Sequence, residues 1–164
     1  MSPDAWSARL GVVAARPVAE LLECPKETGS LLSVSTLSLG FNTGDVVFRQ
    51  GMPCRGLYLI VSGHFLRRAE RLDARVLLGP ARVGEFVELG AALGSGSHTY
   101  TLTAQETGSV LLFPFDSLQN AFRHHPPLRM HLLEELAREV SRAYTLCSMT
   151  RFVRTRRSVA AENN

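Results

Sequence analysis

The sequence has few cysteines and no long hydrophobic run. Its three cysteines, Cys24, Cys54 and Cys147, are far apart and odd in number, so we predict reduced thiols rather than a disulfide framework or a CxxC metal knuckle. The longest apolar stretch near the start, "LGVVAA" at residues 10–15, is too short for a membrane span and is flanked by charges that do not suit a secretory signal. We therefore predict a cytoplasmic protein with no membrane association.

Catalytic and metal-binding patterns are also missing. There is no Ser-His-Asp order, no carboxylate pair with a positioned base and no P-loop, so we predict no enzymatic activity. The spacing of His124, His125 and His131 matches no metal-ligand signature. A cupin enzyme needs a His-x-His motif, and "GHFLRRAE" supplies only His64. Three scattered cysteines do not suit an iron–sulfur cluster, and a haem ligand from Cys or His stays an open alternative.

The composition is that of a folded globular domain. Hydrophobic residues make up 45% of the 164 residues and charged residues 20%, so neither disorder nor membrane residence is indicated. The net charge of +3 comes from "RFVRTRR", which begins at Arg151, and the rest of the chain is nearly neutral. A nucleic-acid binder usually carries a basic face on its folded part. We therefore interpret residues 151–164 as a basic, flexible tail and do not expect nucleic acid as a partner of this chain alone.

The remaining residues suggest one domain made mostly of strands. Residues 1–33 are interpreted as an N-terminal arm with a short helix that is broken at Pro25. Beyond them, short apolar runs alternate with turn signals such as "NTGD", "RQGMP" and "VSGH", which is typical of an antiparallel sandwich or jelly roll. We predict a jelly roll with a short helix over residues 34–125, including strand pairs joined at Ser62-Gly63 and at Thr107-Gly108.

Two helices are predicted after the strands. Asp116 and Gln119 form a capping pattern for a short helix that runs through Phe122. A longer helix is predicted over residues 126–150, because apolar residues recur there at intervals of three and four. This apolar stripe either packs on the sheet of its own chain or pairs with a second chain. It consists of Leu132, Leu136, Val140, Ala143 and Cys147, with Leu133, Ala137 and Tyr144 beside them.

Three stretches carry recognisable motifs: "FNTGDVVFRQGMPCRGLYLIVSGHFLRR", "GEFVELGAALG" and "LTAQETGSVLLFPFDSLQNAFRHHPPLRMHLLEELAREV". Together they resemble the cyclic-nucleotide-binding domains of the catabolite-activator and FNR type of regulator, over about Leu39 to Tyr144. The resemblance implies a mainly β fold with helices: a double-stranded β-helix of about eight strands, flanked by short helices and a long C-terminal helix that commonly dimerises. We therefore expect a homodimer through residues 126–150, or a protein partner in its place.

The resemblance also implies a phosphate-binding cassette. In the family this is Gly-Glu-Leu-x-Leu followed after a turn by Arg-x-Ala: the glutamate accepts from the ribose hydroxyl, turn amides hold the cyclic phosphate, and the arginine neutralises it. Two alignments of the sequence with this motif are open, with either Glu88 or Glu85 at the ribose-binding position. The alignment with Glu88 is preferred, because it needs almost no insertion before the arginine position. It gives the candidate ligand-binding residues Glu88, Leu89, Gly90, His98, Thr99 and Tyr100; the alternative uses Gly84 and Glu85, with Arg82 as a substitute cation.

Under either register the family arginine is missing. Its position is taken by His98, or by Thr99 with a slip of one residue, and the small residue two positions further on becomes Tyr100. Arginine offers a permanent charge in a two-donor fork, whereas histidine near pH 7 is mostly neutral. The loss of each charge-assisted hydrogen bond weakens phosphate binding by about tenfold or more. His98 is either a ligand contact or an exposed turn residue, and the exposed turn is favoured because most lone histidines are not functional.

We therefore predict a non-catalytic regulatory or sensor module with weak or no cyclic AMP binding, which acts through its C-terminal helix on a partner or a dimer. The alternatives are a structural or protein-interaction domain with an empty pocket, and the sensor part of a transcriptional regulator whose DNA-binding part is absent. About a dozen residues follow Arg151, too few for a winged helix-turn-helix. No cofactor is assigned; a cyclic nucleotide or another small anion is the candidate ligand.

Overall fold

A computed structural model describes the backbone of residues 15–71 and 74–142. The chain divides into two compact units, Met1–Arg129 and Met130–Asn164. In the first unit, two helices precede the strands and a third helix follows them. The predicted tail at residues 151–164 lies outside the described residues.

The segment interpreted as an N-terminal arm contains two helices, α1 (Ala15–Leu21) and α2 (Lys26–Ser33). Pro25 stands at the start of α2 with φ −59°, where a residue without an amide hydrogen costs no helical hydrogen bond. The two helices contact each other. Val18, Leu22 and Leu32 are fully buried, so this segment contributes apolar side chains to the interior of the unit.

Eight strands in the described residues form two four-stranded antiparallel sheets, ordered β1-β8-β3-β6 and β2-β7-β4-β5. This arrangement confirms the predicted jelly roll with flanking helices. The strands are β1 (Leu37–Phe41), β2 (Val46–Phe48), β3 (Gly56–Ser62), β4 (Phe65–Arg71), β5 (Ala74–Ala81), β6 (Phe86–Val87), β7 (Thr101–Ala104) and β8 (Gly108–Pro114).

The two predicted turns are present, but they join strands of opposite sheets. The turn at Ser62-Gly63 leads from β3 to β4, and the turn at Thr107-Gly108 leads from β7 to β8. The turns lie against each other, and a β-carbon on Gly63 would lie 2.7 Å from the α-carbon of Gly108. Gly63 also has φ +83°, which a residue with a side chain rarely adopts. Glycine is therefore required where the two crossovers meet.

The hydrophobic core lies between the inner faces of the two sheets. Alternate side chains of each strand point inward, as expected for sheets that pack face to face. Phe41 of β1 contacts Phe65 of β4 edge to face, with ring centroids 6.3 Å apart. The largest buried members are Phe41, Phe48, Tyr58, Ile60, Phe65, Tyr100, Leu102, Val110 and Leu112. Tyr100 thus belongs to the core although it lies in the predicted cassette.

Two helices follow the sheets, as predicted, but the predicted cap at Asp116 is wrong. α3 (Phe115–His124) has Pro114 at its N-cap position and no side-chain cap hydrogen bond, and Asp116 lies in its first turn. His125 leaves the helical conformation, with φ −140° and ψ 81°, and residues 126–142 form the next helix, α4, as far as the structure describes it. Met130 and Val140 are exposed by 57% and 59%. The predicted stripe residues from Ala143 onward lie outside the described residues.

No helix in the described part of the chain is both long enough and apolar enough to cross a membrane.

Candidate functional site

The predicted cassette, residues 84–100, contains an unusual backbone conformation at Glu88. The chain leaves β6 and takes φ 64° at this residue, a left-handed conformation that costs a residue with a side chain about 1 kcal/mol. A helical turn follows at residues 89–90 and continues as a π-helical turn, Ala91–Ser95. The Ala92 amide donates to the Glu88 carbonyl at 2.8 Å. The left-handed conformation at Glu88 thus lies between the end of β6 and the start of the helical turn.

Backbone hydrogen bonds hold the turn formed by the "GSGS" sequence of residues 94–97. The Cys54 amide donates to the Gly96 carbonyl at 2.8 Å, and the His98 amide donates to the Met52 carbonyl at 2.9 Å. The Gly96 amide donates to the Ala91 carbonyl at 3.0 Å, so it is not available to hold an anion. The turn is therefore a defined part of the fold rather than a loose loop.

The carboxylate of Glu88 is bound by the chain itself. Its Oε1 accepts from the Thr99 amide at 2.8 Å, from the Thr99 hydroxyl at 3.2 Å and from the Tyr100 amide at 3.3 Å. The Glu88 amide in turn donates to the Tyr100 hydroxyl at 3.0 Å. Only 1% of the Glu88 side chain is exposed. Backbone amides stabilise a buried carboxylate strongly, so the chain itself supplies hydrogen-bond donors to this carboxylate.

His98 is buried in an aromatic cluster. Its imidazole stacks on Phe48, with centroids 3.8 Å apart and planes at 3°, and lies 5.9 Å from the Tyr58 ring. Its Nδ1 is 3.8 Å from the nearest Glu88 oxygen, which is too long for a hydrogen bond, and has no hydrogen-bond partner. The preferred interpretation of His98 as an exposed turn residue is wrong, because stacking on Phe48 removes the ring from solvent.

Tyr100 points into the interior, where it contacts two different strands. Its ring lies 5.7 Å from that of Phe48 on β2 and 5.9 Å from the guanidinium carbon of Arg67 on β4. A guanidinium at this distance from an aromatic ring makes a favourable cation–π contact. Tyr100 therefore takes up space in the interior of the barrel close to the carboxylate of Glu88.

Arg67, which was not among the predicted site residues, is a cation in contact with this cluster. Its guanidinium donates to the Glu85 carboxylate at 2.9 Å and to the Pro80 carbonyl at 3.0 Å, while its Nε has no partner. Burial alone lowers the pKa of Arg67, but Tyr100 and Glu85 raise it and the net shift is upward. The signal was the alternation along β4, since Phe65 and Ala69, two residues to either side, are buried and share a face with Arg67.

The sequence profile of the cyclic nucleotide-binding domain family matches residues 39–125, more than half of the chain. The chain belongs to the cyclic nucleotide-binding domain family. No curated protein sequence matches this chain.

Solved structures resemble this cyclic nucleotide-binding domain in fold. The sensor domain of the transcriptional regulator DNR from Pseudomonas aeruginosa has a TM-score of 0.66 and 18% identity, covering 80% of this chain and 93% of that one. A cyclic nucleotide-binding domain from Methylobacillus flagellatus has a TM-score of 0.69 and 13% identity, with 80% of each chain covered. The catabolite activator protein of Thermus thermophilus has a TM-score of 0.66 and 23% identity, covering 79% of this chain and 61% of that one.

The structure of this cyclic nucleotide-binding domain brings together four of the six preferred candidate residues: Glu88, His98, Thr99 and Tyr100. Leu89 is buried and Gly90 half-buried at the start of the helical turn. No ligand contact of these residues is tested by the structure, so their binding role stays a prediction.

Of the residues of the alternative register, Glu85 joins this cluster through Arg67. The Glu85 side chain is 43% exposed and pairs with Arg67. Gly84 and Arg82 are exposed, and the Glu85 amide donates to the Arg82 carbonyl at 3.0 Å in a turn. The choice between the two registers therefore stays a prediction.

The two cysteines that the structure describes, Cys24 and Cys54, belong to no cluster of metal-binding side chains. Cys24 and Cys54 are free, and burial raises the pKa of each thiol. The Cys54 thiol donates to the Gly56 carbonyl at 3.0 Å. In residues 15–71 and 74–142, no three His, Cys, Asp or Glu side chains are grouped so as to hold a metal ion. Cys147 lies outside these ranges, and the prediction about a haem ligand is not tested.

Proposed function

We propose that this domain is a non-catalytic regulatory module whose cassette is closed by its own side chains, so that cyclic AMP binds weakly or not at all. One observation carries the proposal: the Glu88 carboxylate is fully buried and already accepts hydrogen bonds from Thr99 and Tyr100. The family resemblance assigns this carboxylate to the ribose hydroxyl of the ligand.

A ligand would have to break these contacts before it could use the carboxylate. Each hydrogen bond to a charged group contributes about 1.5–3 kcal/mol, and each 1.4 kcal/mol lost corresponds to about a tenfold weaker affinity. The buried Tyr100 ring must also move, because it takes the place of a small residue of the family pattern. In addition, His98 supplies no permanent charge for the phosphate. These costs act together against ordinary cyclic AMP affinity.

We assign the output of the module to α4, residues 126–142. Val140, a member of the predicted apolar stripe, is 59% exposed, and Leu136, one turn earlier on the same stripe, is half-buried. A partly open apolar stripe is typical of a helix face that pairs with another helix. The non-helical conformation of His125 supplies a point at which the backbone direction can change. Pairing of two copies through α4 is therefore our proposal for the dimer, and a protein partner on the same face is the alternative.

Regulatory relatives support this role. The neighbours in fold include the sensor domain of a transcriptional regulator and a catabolite activator protein. The sensor domain is covered to 93%, which favours the hypothesis that this chain is the sensor part of such a system. The closed cassette favours the second hypothesis, a structural or protein-interaction domain, because no ligand is needed to complete the hydrogen bonds of Glu88.

Thermal unfolding of the full chain separates these hypotheses. A ligand that binds only the folded state raises Tm in a concentration-dependent way. We expect no change in Tm when cyclic AMP or cyclic GMP is added at about 1 mM. A rise with another nucleotide or small anion would favour the sensor, and a flat response across a broad panel would favour the structural domain. A rise with micromolar cyclic AMP would refute the closed cassette.

Sedimentation tests the helix proposal. Val140→Asp places a charge on the exposed apolar position and should convert a dimer to a monomer. Arg138→Asp is the matched control, because two residues along a helix differ by about 160° in direction, and it should stay dimeric. A wild-type chain that is monomeric at every concentration would contradict the proposed dimer.

A further inference from the structure

The side chain of Gln50 is paired with the backbone of a strand. Its Nε2 donates to the Glu70 carbonyl at 3.1 Å, and the Glu70 amide donates to its Oε1 at 2.7 Å. A glutamine side chain offers both donors and an acceptor, as a peptide group does. It can therefore pair with a backbone in the way that a neighbouring strand does. Gln50 thus takes the place of a strand residue beside Glu70.

Gln50 lies where β4 loses its partner strand. β4 pairs with β7 from Phe65 to Arg68, and Arg68 is opposite Thr101, the first residue of β7. Glu70 follows two residues further along β4. The Gln50 amide also donates to the Thr101 hydroxyl at 3.0 Å. Gln50 is therefore fixed to two strands of one sheet, to β7 through its backbone and to β4 through its side chain.

The loop that contains Gln50, residues 49–54, is hydrogen-bonded to residues 96–98 of the cassette. The Gly51 amide donates to the His98 carbonyl at 2.8 Å, and the His98 amide donates to the Met52 carbonyl at 2.9 Å. A further backbone hydrogen bond and an isolated antiparallel bridge continue this pairing toward the end of the loop. The side-chain pair with β4 thus lies one residue before the first of these contacts.

We propose that Gln50 is a positioning residue for the cassette: its side chain fixes the 49–54 loop to β4, and the loop holds the turn at residues 94–97 in the closed position. The proposal rests on the proposed function, in which the cassette is closed in the free protein. Because the loop and the turn share backbone hydrogen bonds, a movement of the turn that admits a ligand also moves the loop and separates Gln50 from Glu70. Gln50 therefore opposes the opening of the cassette.

Hydrogen exchange of Gln50→Leu tests the proposal. Leucine has a similar size and removes both the donor and the acceptor. In the ligand-free full chain, the Gly51 and His98 amides, which join the loop to the turn, should exchange about fivefold or more faster than in the wild type, because two hydrogen bonds that hold the loop are lost. The Gly44 amide donates to the Ala104 carbonyl at 2.8 Å outside this region. It should exchange at the wild-type rate within about twofold.

Gln105→Leu is the matched control. Gln105 is exposed, and its side chain makes no hydrogen bond within the described part of the chain, so exchange at Gly51 and His98 should not change. Gln50→Glu is a second test variant, because it lacks the amide donor and places a carboxylate against the Glu70 carbonyl. It should accelerate exchange at the same two amides, which excludes an effect of the apolar leucine side chain alone.

Circular dichroism establishes that the variants are folded before exchange is measured. Unchanged exchange at Gly51 and His98 in Gln50→Leu overturns the proposal. An equal acceleration at Gly44, or a loss of the fold, overturns it as well, because either result shows a general structural role. These samples contain no cyclic AMP, so their outcome concerns Gln50 alone. Micromolar binding of cyclic AMP by the wild type, measured separately, would instead refute the proposed function.

Discussion

The imidazole of His98 lies face to face on the ring of Phe48, with centroids 3.8 Å apart and planes at 3°. This contact makes His98, the residue predicted to stand at the arginine position of the cassette, an aromatic partner in the core. Stacked aromatic pairs contribute about 0.5–1.5 kcal/mol beyond the area they bury. The stacking of His98 on Phe48 therefore stabilises the fold.

Restoring the arginine alone should give little cyclic AMP binding. In His98→Arg the charge returns, but Tyr100 still fills the interior next to Glu88. We expect the double variant His98→Arg with Tyr100→Ala to bind cyclic AMP at least about tenfold more tightly than His98→Arg, because one charge-assisted hydrogen bond and an open pocket are regained together. Isothermal titration calorimetry measures both affinities.

The control for this comparison is Tyr100→Ala alone, which opens the space without restoring the arginine. It should bind cyclic AMP more weakly than the double variant. If His98→Arg by itself reached the affinity of the double variant, Tyr100 would not block entry and the closed cassette would be wrong in this respect.

At position 88, glycine should give a more stable protein than alanine, which is the reverse of the usual order. Both substitutions remove the carboxylate and leave the Thr99 and Tyr100 amides without their acceptor, a loss of about 2–4 kcal/mol in the free energy of unfolding. Glycine adopts φ 64° without strain, so Glu88→Gly should be more stable than Glu88→Ala by about 1 kcal/mol. Urea denaturation measures the difference.

Glu106 provides the matched control, since it is exposed and has no positive φ. There the order should be the usual one, with Glu106→Ala at least as stable as Glu106→Gly. An alanine preference at Glu88 as well would show that the left-handed backbone is not retained in the folded chain.

Gly56 should tolerate no side chain. A β-carbon at this position of β3 would overlap the carbonyl oxygen of Phe113 on β8, so Gly56→Ala must push two core strands apart. We expect a loss of about 3 kcal/mol in the free energy of unfolding. At Gly40 of β1 a β-carbon would meet nothing within 4 Å, and Gly40→Ala should change stability by no more than about 0.5 kcal/mol. Similar losses at both sites would contradict this strand packing.

Tyr58 should make the fold sensitive to alkaline pH. Burial raises the pKa of Tyr58 to about 12, with a smaller contribution from Cys54. Because the folded-state pKa lies above the unfolded value of 10.0, the stabilisation is complete below pH 10 and is lost as the pH rises toward 12. The free energy of unfolding should fall by about 2–3 kcal/mol over this window.

Tyr58→Phe checks this prediction, since it removes the ionisable hydroxyl and keeps the ring. Denaturation from pH 9 to 12, an interval of about three units that brackets the shift, should give a smaller decrease for Tyr58→Phe than for the wild type. Parallel decreases in the two proteins would show that Tyr58 does not titrate in the folded state at a raised pKa.

The sequence predicted the positions of turns and helices better than it predicted which strands pair in a sheet. Turn residues such as Gly63 and the break at Pro25 are local signals, and the structure places a turn and a helix start there. The sheet that each strand joins depends on contacts between residues distant in sequence. The turns at Ser62-Gly63 and Thr107-Gly108 were therefore predicted, but not that each one leads from one sheet to the other. The resemblance to a known family supplied the closed jelly roll.

The candidate site was predicted only in part, for the same reason. The spacing from Glu88 to His98 and Tyr100 placed these residues correctly in one cluster. The burial of His98 depends on Phe48, fifty residues earlier in the sequence, and no local pattern links the two. Arg67 was missed because arginines on a strand usually face solvent, although its alternation with Phe65 and Ala69 indicated an inward direction.

Hydrogen exchange at the Thr99 amide tests the closed cassette most directly. Thr99 is exposed, yet its amide donates to the buried carboxylate of Glu88 at 2.8 Å. In ligand-free, uniformly ¹⁵N-labelled protein we expect this amide to exchange at least about tenfold more slowly than an unprotected one, with no change when cyclic AMP is added. Fast exchange in the free protein that becomes slow with cyclic AMP would contradict the account.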